Sequence, residues 1–398
     1  RRQQEKLFTY EFMMYRVIMW PLGIWPLNRG EFFSDIRLAV AAITQAATSV
    51  CLTSEILLNC RGLEDVLDIF VLDVFASLAC AKGIIVRIHQ EDVYDNVSSA
   101  VEDWSKPLVT GNAKYRDIMT RHARIGRIVC LSLMGPASGG TLSWIIFALP
   151  LSMFNYNPNG TEEAIRNFPL QTACTFEAVS QSLFYYVIFV LQVIQLLATC
   201  LGNCGNDVFF FGIAMHVCGQ FEILKEEFST IGMGDSQNEK IARGRLADLS
   251  RRHAHLVDLV DKLEDTFHLI ILVQLLMSAI LICIMGVQMI IAMKTDDAFT
   301  GIKSSVVLSS LMSQLFLYSY GGDYLTWQNE GLGHAVYESV WYNFSPTTMR
   351  DLGFVMMRAG KPIRVTAGKF FVMTLATFMD ILKIAVSYIS VLRVMIDV

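Results

Sequence analysis

Charge is what this chain has little of. Of its 398 residues 17% are charged against 53% hydrophobic, and the mean hydropathy is +0.43. Soluble domains carry roughly a quarter charged residues, so the composition points to lipid. The charge present sums to −5, with a pI near 5.8, and lacks the basic face that a nucleic-acid binder needs. No C-x-x-C pair occurs among the nine cysteines, most of which lie in apolar runs where a thiol behaves as a small hydrophobe. No P-loop, Gly-rich phosphate turn or nucleophile–base constellation is seen, so neither an enzyme nor a metal or other cofactor is expected. The paired repeats with broken helices that mark many transporters are missing too. So is a cleavable signal peptide: the mixed polar stretch Arg1 to Arg16 leads to an apolar segment expected to insert as a signal anchor. The absent initiator Met suggests a trimmed sequence.

What is present is a series of apolar runs. A span needs about 20 mostly apolar residues, and candidates lie at 37–58, 65–86, 128–152, 179–202, 268–292, 302–321 and 370–392. The expected fold is therefore an all-α membrane protein of seven transmembrane helices. The second span carries Asp68, Asp73 and Lys82, and the fourth runs past Asp207 to Phe221, long enough to leave the bilayer and continue in water. Lys and Arg in the connections set the orientation. Segments 1–36, 87–127, 221–265 and 323–369 hold 24 of them, whereas 59–64, 153–178, 293–300 and 393–398 hold 4, which places the N-terminus in the cytosol. This is the reverse of the G-protein-coupled arrangement.

The inner connections are long and helix-like. In 236–268, Ile241, Leu246, Leu249, Leu256, Leu259, Leu263 and Phe267 recur near helical spacing, predicting an amphipathic helix that feeds the fifth span. Such extensions would build a packed intracellular anchor domain. The chain divides into 1–321 (six spans with a ligand-binding bundle), 322–369 (a cytosolic anchor region) and 370–398 (the last helix and an extracellular C-terminus). Of the sequons at Asn96, Asn159 and Asn343, Asn159 alone would face outward and be glycosylated. Cys60 and Cys174 fall on the same outer side, where a disulfide is conceivable. His253-x-His255 resembles a metal pair but reads better as a solvated helix face.

Family likeness becomes specific in the C-terminal third. It reads Phe316-Leu317-Tyr318-Ser319-Tyr320-Gly321-Gly322-Asp323-Tyr324-Leu325, then Ala335-Val336-Tyr337 and Trp341-Tyr342, then Gly360-Lys361-Pro362, Thr366-Ala367-Gly368-Lys369-Phe370 and Ser387-Tyr388. This order and spacing resemble the insect odorant receptor family; elsewhere the match is in topology and loop lengths. The related gustatory receptors typically carry a Gln-Phe pair after the last Ser-Tyr, where this chain has Ile389, Ser390, Val391 and Leu392. The odorant co-receptor carries a long second cytosolic insertion for which 221–265 is too short. The resemblance implies a ligand-tuned subunit of a heterotetrameric cation channel in the plasma membrane of olfactory sensory neurons. Its partners would be the co-receptor subunit, a small volatile ligand and membrane lipid. A gustatory-type channel and a metabotropic seven-helix chemoreceptor are the alternatives.

The last helix supports a pore on its own chemistry. Asp380 and Lys383 sit near its middle, where a charge facing lipid costs roughly 2.5–3.5 kcal/mol. At about 100° per residue, Thr377, Asp380, Ile384, Ser387, Val391 and Met395 share one narrow stripe, while Phe378 and Leu382 oppose it and are expected to face lipid. The stripe is polar at its cytosolic end and apolar outward, as suits a wetted vestibule closed by an apolar constriction. The resemblance assigns the gate to a valine, which Val391 matches. Lys383 can pair with Asp380 at i, i+3, and a structural pair buried between helices is the competing reading.

For the ligand, the third span holds Pro136-Ala137-Ser138-Gly139-Gly140-Thr141-Leu142-Ser143-Trp144, small residues that either admit a guest or let helices approach. The resemblance places odorants among the second, third, fourth and sixth spans. That region includes Asp73, Ala137, Gly140, Trp144, Phe147, Phe184, Tyr185, Ile188, Val307, Ser310 and Leu311. For Asp73 a hydroxyl on a neighbouring helix is the competing partner.

Overall fold

The computed structural model describes residues 2–28, 30–58, 62–106, 109, 111–148, 168–170, 172, 184–231 and 239–396. The chain folds as helices α1 (Arg2–Met19), α2 (Phe32–Leu58), α3 (Leu63–Ile88), α4 (Gln90–Ser105), α5 (Ala113–Ala148), α6 (Phe184–Ser229), α7 (Glu239–Thr295), α8 (Ala298–Glu338), α9 (Pro346–Ala359) and α10 (Leu375–Ile396). A two-stranded antiparallel hairpin, β1 (Thr366–Ala367) and β2 (Phe371–Val372), joins α9 to α10. Among the described residues, five helices are long and apolar enough to cross a membrane: α2, α3 from Asp65, α5 as far as Ile146, α6 and α7. The runs expected as sixth and seventh spans are helical within α8 and α10 but are not among those five. Residues 370–374 belong to the hairpin and its exit, so the last helix starts five residues later than the apolar run.

The long helices outgrow a bilayer. α6, α7 and α8 have 46, 57 and 41 residues, or roughly 69, 86 and 62 Å at 1.5 Å per residue, against a hydrocarbon core of about 30 Å. The excess forms a second packed body. In α6 every residue from Gly202 to Phe221 is buried, the mark of a central helix wrapped on all sides. Its main neighbours are α1, α3, α5, α7 and α8, with smaller contacts from α2 and α4. The expected amphipathic stretch is the first half of α7: Leu246, Leu249, Leu256, Leu259, Leu263 and Phe267 are buried, whereas Ile241, in the first turn, is exposed. The expected solvated histidine face is corrected for His253 alone: it is buried with Nε2 at 3.0 Å from Asn329 Oδ1, whereas His255 is exposed, with Nε2 3.0 Å from Ser99 Oγ.

The motif-bearing third acquires physical reasons. Gly321 and Gly322 permit close approach: a Cβ on Gly322 would lie 2.7 Å from Met373 O, and one on Gly321 3.3 Å from the Phe210 ring. Phe316, Tyr320, Tyr324 and Trp327 stack in a ladder at 5.6–5.7 Å. Gly368 and Lys369 both have positive φ, 64° and 69°, which turns the hairpin. Gly368 N donates to His268 O at 2.9 Å, and Lys369 pairs with Glu264 and Asp265, so the hairpin is anchored on α7 before the chain enters α10.

Candidate functional site

Between α3, α5, α6, α7 and α8 lies a cavity of about 900 Å³. It sits at the end of the bundle next to the α7–α8 turn, where Asp296 adopts φ 52° and Asp297 caps α8 through bonds from Phe299 N and Thr300 N. Small residues of α5 make its room. A Cβ on Gly140 would meet only Val306 Cγ1, at 3.9 Å, and one on Gly135 or Gly139 would meet nothing within 4 Å. Gly140 thus leaves space on the wall, whereas Gly135 and Gly139 lie on the exposed side of α5 and do not line the cavity.

Of the residues singled out in the sequence, Ala137, Gly140, Trp144, Val307 and Ser310 line this cavity together. Trp144 is held by its Nε1, which donates to Pro169 O at 2.7 Å. Tyr185 stands one layer back: fully buried, it packs its ring 5.1 Å from Phe168, itself on the wall. Leu311 is likewise buried behind the wall, in a cluster with Val71, Met285 and Ala385. Phe184 is 69% exposed and Ile188 half-buried, and neither is on the wall. Asp73 turns to α2, accepting from Ser49 Oγ and, at 3.0 Å, from Thr53 Oγ1. The side chain of Phe147 lies outside the described residues, as do Asn159, Cys60 and Cys174.

Sequence reasoning missed the carboxylate that does reach the cavity. Asp68 precedes Asp73 by five residues, about 140° round a helix, and so faces α7 and α8. It accepts from Gln288 Nε2 at 2.9 Å and pairs with Lys303 Nζ at 2.5 Å, and all three line the cavity. The signal was available: Asp68 and Lys303 are charges in apolar runs, which demand partners. Lys82, also on α3, is buried against Asp207 Oδ1 at 2.7 Å, and Tyr318 Oη donates to the same carboxylate.

α10 presents two distinct faces. Phe378, Ile381, Ala385 and Ile389 pack on α7 and α8, with the Phe378 ring 5.7 Å from Phe316. This corrects the expectation that Phe378 and Leu382 face lipid; both are partly covered by the chain itself. On the opposite face Asp380, Ile384, Ser387 and Val391 are exposed. Thr377 is half-buried with its hydroxyl on Val372 O at 2.9 Å, and the Met395 side chain lies outside the described residues. The Asp380–Lys383 pair forms, at 3.1 Å, yet both side chains remain about 70% exposed in the single chain, so it is not buried between this chain's own helices.

Away from the cavity, three elements meet at His216. It lies 32 residues into α6, past the length that crosses a bilayer core. Nδ1 is 3.0 Å from Glu11 of α1 and Nε2 3.3 Å from Asp103 of α4, and Trp104 Nε1 donates to the same Glu11. Burial by itself would lower the His216 pKa, but the two carboxylates overcome it and push it up to about 10.

A family model described as 7tm odorant receptor matches residues 62–386. Odorant receptor 13a of Drosophila melanogaster is 24% identical over 93% of this chain and 92% of its own length. Odorant receptor 9a of the same fly is 30% identical over 49% and 48%. Among solved structures, the insect olfactory receptor OR5 from Machilis hrabei in complex with eugenol superposes with a TM-score of 0.76 at 14% identity, covering 98% of this chain and 99% of that one. That likeness is evidence for the fold alone.

Proposed function

The chain belongs to the insect odorant receptor family, and from that premise we propose that it is the odorant-binding subunit of a heteromeric, odorant-gated non-selective cation channel. The observation that carries the reading is the cavity. Its volume of about 900 Å³ falls in the range of small-molecule sites, and aromatic and aliphatic walls from α3, α5 and α8 suit a volatile ligand. Its walls are continuous with the last helix: Val71 and Met285, both on the cavity, share one packed cluster with Ala385 of α10, and Gly286 brings α7 within contact of Ile389. A ligand that spreads the wall therefore has a short route to α10.

In this reading seven spans cross the plasma membrane of an olfactory sensory neuron, with the N-terminus cytosolic, as the 24-to-4 distribution of Lys and Arg supports. The face of α10 that its own chain leaves uncovered lines a central pore shared with co-receptor subunits. Val391 is the apolar constriction and Asp380 and Ser387 belong to the wetted wall. A volatile of on the order of 10 heavy atoms gains roughly 5–8 kcal/mol on binding. Moving a two-state equilibrium from closed to open takes about 5.5 kcal/mol of differential affinity. Partial agonism is the expected behaviour.

Purified receptor and co-receptor reconstituted in a lipid bilayer test the proposal, because no G protein is present. Odorant-evoked cation current is expected. Its absence, with odorant responses in intact cells that need a G protein, overturns the channel reading in favour of a metabotropic one.

A further inference from the structure

The first helix keeps an apolar face that the other described residues leave uncovered. Met13, Val17 and Trp20 of α1 are 56%, 62% and 45% exposed. With Phe8, Phe12 and Trp25 they line an open groove of about 420 Å³ between α1 and the turn that follows it. Gly23 makes that turn. Its φ is 72°, and a Cβ there would lie 2.3 Å from Ser34 O and 2.7 Å from Leu38 N, so the turn sits directly on the start of α2.

The neighbours of α1 set its depth. Glu11 reaches His216 and Ile18 packs on Gly205, so α1 climbs along α6 toward the membrane. Gly205 lies three residues past the fourth apolar run, 179–202, or roughly 5 Å below it at 1.5 Å per residue. That is within a headgroup layer roughly 5–8 Å thick. Arg37, the first residue of the first apolar run, holds its guanidinium 4.4 Å from the centre of the Trp20 ring. Two separate helices thus put Trp20 at headgroup level, where tryptophan is favoured.

The charge at this level is positive and unanswered. Arg16, one turn before Trp20, is exposed on the groove and meets no carboxylate among the described residues. Arg37 Nε and Nη2 are buried without an acceptor. Covered by the protein, those two nitrogens touch no ligand, but nothing in the described chain neutralises their charge. The acids near them in sequence are committed elsewhere: Glu11 to His216 and Trp104, Asp35 to Arg87, and Glu31 to Asn28.

We propose that the membrane end of this groove is a site for an anionic phospholipid of the cytosolic leaflet. Its phosphate lies at Arg16 within the field of Arg37, and the glycerol end of its acyl chains lies against Val17 and Trp20. The lower end of the groove, from Phe8 to Met13, falls below the headgroups and takes no part. The inference rests on the cytosolic N-terminus, not on the reading of the cavity between α3, α5 and α8.

The test uses the purified receptor–co-receptor complex in phosphatidylcholine vesicles doped with phosphatidylserine, one lipid or the other brominated on its acyl chains near the glycerol. Both leaflets carry the probe, so the outcome does not depend on the orientation of the protein. The signal of Trp20 is the part of the fluorescence lost in Trp20→Phe. At equal mole fraction, brominated phosphatidylserine is expected to quench that part more strongly than brominated phosphatidylcholine. Arg16→Gln and Arg37→Gln should each lower the preference about fivefold, since one basic residue near an anionic surface contributes about 1 kcal/mol. Arg16→Lys should retain it. A response to a co-receptor-directed agonist confirms that each variant is assembled, and Arg16→Gln decides alone if Arg37→Gln is not. Glycerophosphoserine, the headgroup without acyl chains, should not displace the lipid; displacement would make this a site for free anions and overturn the proposal. Equal quenching by the two lipids, or a preference that survives Arg16→Gln, overturns it as well. Quenching by neither lipid means that a partner subunit or another segment covers the groove, and the lipid reading falls.

Discussion

The two ends of the same helices solve opposite problems. From the middle of α6 onward, glycines are spacers pressed against neighbours: a Cβ on Gly212 would lie 2.5–2.7 Å from the Tyr15 side chain, and one on Gly205 2.4 Å from Ile18 Cγ2. In the second half of α5, Gly140 faces the cavity, and a Cβ there would meet only a methyl of Val306 at 3.9 Å. One end is tightly packed and holds α1, α4 and α6 together; the other encloses the cavity. The same residue type thus carries opposite meanings, and substitution should separate them: structural loss at the packed end, altered ligand response at the hollow one.

The largest effect is expected at the centre of the packed end. His216→Phe leaves Glu11 and Asp103 buried without their shared cation, a defect of about 3–5 kcal/mol. Detergent-solubilised receptor should show a markedly lowered Tm, and the response to every agonist should fall with surface expression. The wild type should show the same contact by titration. A histidine raised from 6.5 to about 10 contributes its full stability below about pH 6.5 and loses it as the pH rises toward 10. Asp103 runs the other way: burial would raise it, but the bond and charge of His216, with Lys106, lower it, so its contribution is present above its ordinary value and lost in acid. A Tm that declines between about pH 7 and 10 in the wild type, and is flat there in His216→Phe, supports the clamp; identical profiles break it.

Next in size is the glycine pair. Gly212→Ala forces the Tyr15 ring aside and should cost about 1–3 kcal/mol. Gly140→Leu, a far larger addition, should leave stability within about 0.5 kcal/mol of wild type, with little change in Tm, because it grows into a void. Trp144→Ala enlarges the same void. Both cavity variants should reorder the potency of an odorant panel and spare the response to a co-receptor-directed agonist. If Gly140→Leu unfolds the protein and Gly212→Ala does not, the contrast between the two ends is wrong.

Local features of the sequence carried much of this. Apolar runs and helical periodicity predict α2, α3, α5, α6 and α7, and the run from Pro136 to Trp144 marks one wall of the cavity because small residues in a span must do something with the space. What stayed hidden is pairing at a distance. Asp68 meets Gln288 and Lys303 across 220 and 235 residues of chain, whereas the hydroxyl partners of Asp73 on α2 lie only 24 and 20 residues away, and nothing in the local spacing favours Asp68 over Asp73 as the cavity carboxylate. The clamp of Glu11, Asp103 and His216 is invisible for the same reason: three polar residues in three helices carry no shared periodicity. Burial of His253 was hidden because the charges beside it in sequence lie on other sides of α7.

The smallest effect is expected where the chain is neither packed nor hollow. The face of α10 bearing Asp380, Ile384, Ser387 and Val391 meets none of the described helices, though the opposite face packs through Ala385 and Ile389. Exposure alone does not distinguish a pore wall from a lipid contact, but Asp380 does: its charge, beside Lys383 at 3.1 Å, needs water or a partner subunit. If water is the answer, Asp380→Asn removes one charge from a wall shared by several subunits. Divalent permeability relative to sodium should then drop by about twofold, roughly 0.4 kcal/mol, with Tm and odorant ranking unchanged. Cysteine at Ser387 or Val391 should be blocked by thiol reagents during recording, and cysteine at Phe378, covered by Phe316, should not. Block on both faces, or no change in permeability with a lowered Tm, would assign the Asp380–Lys383 pair to holding subunits together.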